Sequence, residues 1–139
     1  MKKSRLARNR KEASASSLRK ILRLSQSKDH VKRVSLLSQF STRPKYLARV
    51  IALSMMHDSN NEVRCEAIDL LCEVYRKKDK KSLLMALRSP SWIVRHSAML
   101  ALIKNNSALG MALNELLLND KHFVIRRDAV LLLGKKQYL

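Results

Sequence analysis

The chain has 139 residues, 46% of them apolar, so it is long enough to bury a core and too hydrophobic for wholesale disorder. Its 2 Gly and 2 Pro are too few for the tight turns of an all-β fold, and Gly110 and Gly134 lie too far apart for a glycine-rich phosphate loop. Lys plus Arg is 29 against 11 Asp plus Glu, a net charge of +18 that bears on partners and not on fold.

The charge is concentrated at the start. Residues 1–33 hold 12 Lys/Arg and 2 acids, a net of +10, whereas residues 58–139 hold 14 Lys/Arg against 9 acids, a net of +5. A basic block ahead of a better balanced domain reads as an interaction arm. Residues 1–15, with Lys2, Lys3, Arg5, Arg8, Arg10 and Lys11, are expected to form a flexible basic arm. No apolar stretch follows Met1-Lys2-Lys3-Ser4-Arg5, which argues against a secretory signal. The Arg- and Ser-rich start shares features with a mitochondrial transit peptide, but Glu12 and the scattered apolar residues weigh against one.

Next come two short helices. Ser16–Leu24 predicts an amphipathic basic helix bearing Arg19, Lys20 and Arg23, and Asp29–Phe40 predicts another, with Val31, Val34, Leu37 and Phe40 on one side. Residues 16–41 thus read as a degenerate terminal helix pair, as expected where a stack of repeats is capped.

From residue 45 the sequence repeats. The segment from Asp58 to Ala67 aligns without gaps with Ser89–Ala98 and with Asp120–Ala129, each 31 residues on. The matching columns are Val63/Val94/Ile125, Arg64/Arg95/Arg126, Ala67/Ala98/Ala129 and Leu71/Leu102/Leu133. Their steps of three and four give each copy a helix with one buried stripe. Asn60 or Asn61 and Ser91 stand where helix caps belong, with Pro90 just ahead of the second helix start. A preceding helix is predicted in each copy, at Tyr46–Met56, Ser82–Leu87 and Met111–Leu118, with breaks at 76–81 and 105–108. Such short connections make neighbouring helices antiparallel.

An acid, five residues, Val-Arg, three residues, Ala and then Leu-Leu resembles a HEAT repeat in its short bacterial form. The resemblance spans residues 45–139 and implies an all-α solenoid of antiparallel helix pairs. It further implies a structural ladder, in which a turn Asp and the Arg six residues later link neighbouring repeats. Asp58 and Arg64, and Asp120 and Arg126, match that spacing, and Arg95 belongs to the same column. Ser89 departs from it and puts the middle rung in question.

Nothing catalytic emerges. His30, His57, His96 and His122 form no pair with the spacing of a helical metal site, so no metal, cofactor or enzymatic activity is expected. His96 and His122 read as polar surface residues at turn or helix-start positions. Cys65 and Cys72, seven apart on a helix, are separated by about 10 Å along its axis, too far for a disulfide. They read as small core thiols in a reducing, cytoplasmic compartment. No stretch approaches 18 apolar residues, so no membrane span is expected. Trp92 and Phe123 share a column and read as packing at the turn between helices, and six aromatics are few for a base-stacking platform.

In this family the second helices line a groove. Opposite the buried stripe stand Glu66, Asp69 and Glu73, then Ser97, Leu100 and Lys104, then Asp128, Leu131 and Lys135. A groove acidic at one end, basic at the other and apolar between suits a protein segment better than DNA. Basic clusters lie elsewhere: the arm, the set Arg19, Lys20 and Arg23, and a loop of Arg76, Lys77, Lys78, Lys80 and Lys81. The expectation is a non-catalytic binding module, holding a protein partner in its groove and nucleic acid or another polyanion at its basic N-terminal region. The alternatives are a pure protein–protein scaffold and, more weakly, a relative of the HEAT-like DNA glycosylases. The latter lacks an Asp set among Trp and Tyr residues.

Overall fold

The computed structural model describes residues 17–42 and 45–136, and within them it is helical with no strand. Helix α1 covers residues 17–25. It is followed by α2 (His30–Ser38), α3 (Lys45–Met55), α4 (Asn61–Glu73), α5 (Lys80–Ala86), α6 (Trp92–Asn105), α7 (Met111–Leu118) and α8 (Phe123–Lys135). The starts of α2, α4, α6 and α8, at residues 30, 61, 92 and 123, are each 31 apart.

Local chemistry fixes these starts. The Asp29 carboxylate accepts from the Val31 amide at 2.9 Å, and the Asn60 side chain accepts from Glu62 and Val63 at 2.9 and 3.2 Å. His122 caps α8 through Nδ1, which accepts from the Val124 amide at 3.4 Å. Ser91 occupies the cap position of α6, but its side chain makes no capping bond. Gly110 precedes α7 at φ +86°, a left-handed conformation that suits glycine.

The helices pack in two layers. Helices α2, α4, α6 and α8 form one row, each against the next, and α3, α5 and α7 back α4, α6 and α8 respectively. Val63, Val94 and Ile125, then Ala67, Ala98 and Ala129, then Leu71, Leu102 and Leu133 are all buried. The repeat columns are therefore the core. The alanines sit within the row of second helices, where a small side chain allows close approach.

The structure corrects several boundaries and faces. The inner side of α2 is Arg33, Leu36 and Leu37, continuing to Phe40, while Val31 is 60% exposed. Packing on α4 buries this face, which is the phase of Arg64, Ala67, Ile68 and Leu71 one repeat on. Leu36 takes the alanine column. Lys80 and Lys81 belong to α5 and not to a loop, because a 3₁₀ turn at Lys77–Asp79 leads directly into that helix. Asp79 within this basic stretch is buried, bonding both Arg49 and the Arg76 amide. The arm of residues 1–15 lies outside the described residues.

Candidate functional site

The arginine column forms ion pairs across helix pairs. Arg95 donates through Nε and Nη2 to the two Asp120 oxygens at 2.9 and 3.0 Å, and through Nη1 to the Ser89 carbonyl at 2.9 Å. Arg33 grips Asp58 in the same manner, at 2.8 and 2.9 Å. In both pairs the Arg fork matches a carboxylate 25 residues later and also satisfies a turn carbonyl. By that spacing Arg64 meets Ser89, so it has no carboxylate. Its Nη2 donates instead to Asn61 at 2.6 Å, and its buried Nε has no partner. Arg126 is exposed and donates to the Asp120 carbonyl at 2.7 Å. Asp58 and Asp120 thus each receive an Arg from the preceding pair, and Arg33 is a member that the sequence reading did not include.

The second-helix face carries the groove residues. Leu100 and Leu131 are exposed, 38% and 55% respectively, as are Asp69, Glu73, Lys104 and Lys135, while Glu66 is half-buried. Glu66, Asp69 and Glu73 keep the α4 end acidic, but charges of opposite sign also pair across the face. Lys104 reaches Glu73 at 2.9 Å, and Asp128 binds His96 Nε2 and Arg127 Nε, both at 2.7 Å. Lys104 and Glu73 share a column and meet across adjacent helices, His96 reaches one position beyond its own column to Asp128, and Arg127 bonds its sequence neighbour. His96 is therefore a half-buried helix residue with a carboxylate partner, not a free surface group. Arg127 and His96, against slight burial, hold the Asp128 carboxyl below its usual range. Although Asp69 is exposed by area, desolvation by the protein around it and the nearby Glu66 push its carboxyl the other way, with His96 opposing.

One part of this face was not anticipated. Trp92 is 39% exposed and stacks on His122, with ring centroids 4.1 Å apart and planes 3° from parallel. Phe123, 62% exposed, extends the stack from His122 at 5.3 Å. The expected turn packing is instead an open aromatic array linking the starts of α6 and α8. Its sequence signal is the 31-residue spacing of Trp92 and Phe123 at the first position of each helix, which faces outward.

Of the basic clusters, Arg19, Lys20, Arg23, Arg76, Lys77, Lys78 and Lys81 are exposed and Lys80 is half-buried. Cys65 and Cys72 are free, half-buried thiols; Cys72 Sγ accepts from the Asn105 amide at 3.2 Å. Among the described residues there is no His, Cys, Asp or Glu cluster that could hold a metal ion, and no helix is long and apolar enough to cross a membrane. The family model described as HEAT repeats matches residues 49–134. No curated protein and no solved structure matches the chain.

Proposed function

Because the chain belongs to the HEAT-repeat family, whose repeats generally mediate protein interaction, we propose that it is a non-catalytic binding module. Its second-helix face takes a protein segment, and its basic N-terminal region, residues 1–15 with the terminal pair 16–41, engages nucleic acid or another polyanion. The observation that carries this reading is the set of exposed apolar side chains on the second helices, Leu100 and Leu131 in one column and Trp92 and Phe123 in another, with charged residues beside them. An apolar centre with a polar rim is the anatomy of a protein interface. The free thiols Cys65 and Cys72 fit a cytoplasmic setting.

Pull-down from nuclease-treated lysate, with the full chain and with Leu131→Glu, tests the groove. Partners that survive nuclease and are lost in the variant support it; partners that all vanish with nuclease, or that the variant retains, contradict it.

The arm is tested separately. Each neutralised phosphate on duplex DNA contributes about −0.9 to the slope of log K against log salt. Deleting residues 1–15 removes six cations and is expected to flatten that slope by several units. Helical content and melting temperature should stay nearly unchanged. A full-length protein without salt-dependent binding to RNA or DNA favours the pure protein–protein scaffold.

A further inference from the structure

The structure assigns a second binding site to the place where the ladder is interrupted: the cleft at Arg64, which we propose receives an Asp or Glu side chain of a partner protein. The inference rests on the protein-binding reading above but concerns a different edge of the stack, that of the ladder turns.

Two adjoining rungs show what this position is built to hold. Arg33 and Arg95 each present Nε and Nη2 to both oxygens of one carboxylate, at 2.8–3.0 Å. Arg64 stands in the same column at the same phase of its helix, but the residue 25 positions on is Ser89. The half-fork left over is the buried, unpartnered Arg64 Nε. A buried donor without a partner is costly, and a charged one more so. The second Arg nitrogen makes only an exposed bond to Asn61, which a carboxylate can replace.

The space is present as well. Arg64 and Ser89 line a cleft of about 190 Å³, with Met85 and Val94 as apolar walls and His57 and Arg88 beside them. Asp58, whose carboxyl feels the Arg64 charge, is already gripped by Arg33. The cleft thus sets the Arg64 guanidinium, its Nε covered and its Nη2 on Asn61, beside an added cation and room for a short side chain; turning away from Asn61 presents its planar fork, which selects a carboxylate. Arg88 and Ser89 also line an adjoining depression of about 540 Å³, together with Lys121 and Asn119. An extended acidic segment can therefore place one carboxylate on Arg64 and run on past Arg88 towards Lys121, whereas a free small ion uses only the first cleft.

The test uses the full chain. Ser89→Asp supplies the missing carboxylate internally and is expected to raise the melting temperature by about 2–6 °C. Ser89→Asn should not, and the gain should vanish when Arg64→Gln is added. In parallel, the Arg64 Nε–H signal, assigned by its loss in Arg64→Lys, is followed by NMR. Sodium acetate and a deca-glutamate peptide should each move it to saturation, with the peptide acting at a concentration at least tenfold lower. Ser89→Asp should abolish both responses. No gain from Ser89→Asp, or a signal that responds equally to chloride, overturns the site. A response to acetate without tighter peptide binding, or a preference for inorganic phosphate, overturns the proposed occupant. These outcomes are independent of the groove, because Leu131→Glu should leave the Arg64 response intact.

Discussion

Ala98→Leu is expected to destabilise the stack by about 1–3 kcal/mol, the usual cost of forcing extra carbons into a packed core. Ala98 is fully buried on α6, whose inner sides are covered by α4, α8 and α5, so nothing around this position opens to take a larger group. The alanine columns above and below are equally buried, so the strain spreads along the row of second helices rather than relaxing at one end. Thermal unfolding followed by circular dichroism should show a drop of roughly 3–10 °C. Leu100→Ala, at an exposed position of the same helix, should change little. An unchanged melting temperature for Ala98→Leu would mean that this column is not a packing seam.

Arg95→Lys is expected to cost about 2 kcal/mol although the charge is kept, because an ammonium cannot make the two parallel bonds to Asp120 and also satisfy the Ser89 carbonyl. The side chains of the pair are only 6% and 14% exposed, so water replaces the lost bonds poorly. Arg64→Lys is the control: with no carboxylate to lose, its effect on stability should be much smaller. Binding of nucleic acid should be nearly unchanged in Arg95→Lys, because the charge is kept. The pair also sets a pH dependence. Burial pushes the Asp120 carboxyl up, but the Arg95 bond and the His122 amide outweigh it and hold it below its ordinary 3.8. A carboxyl whose folded value lies below its unfolded one contributes stability above about pH 4, and that stability is lost as pH falls through the folded value. Stability should therefore fall below about pH 4, and less steeply in Arg95→Lys. Equal slopes would separate the Asp120 titration from this rung.

The family and the all-α repeat architecture were legible because they rest on column identity: Val63, Arg64, Ala67 and Leu71 return at a fixed spacing, and burial follows that spacing directly. The face of α2 was less so. Val34, Leu37 and Phe40 do pack inward, but Val31 beside them is exposed, and a buried Arg33 does not register in a hydrophobic pattern. The groove residues could be placed on the outward face from helix geometry alone. Their pairing could not, since Lys104 with Glu73 and His96 with Asp128 depend on how closely adjacent helices approach. The Arg49–Asp79 ion pair had no signal, because Asp79 sits in a run of lysines that reads as a solvated loop.

The aromatic stack has an optical consequence. Trp92 is the single tryptophan of the chain, and its indole lies flat against the His122 imidazole. All tryptophan emission therefore originates at the joint between the last two helix pairs, on the outward face, with one ring surface covered and about two fifths of the residue open to solvent. A molecule settling over Phe123 and the His122 ring changes the polarity around that one fluorophore. The unmodified protein thus carries its own reporter of occupancy: a blue shift on ligand addition locates the ligand at this face, and a ligand confined to the Arg64 cleft should leave the spectrum as it was.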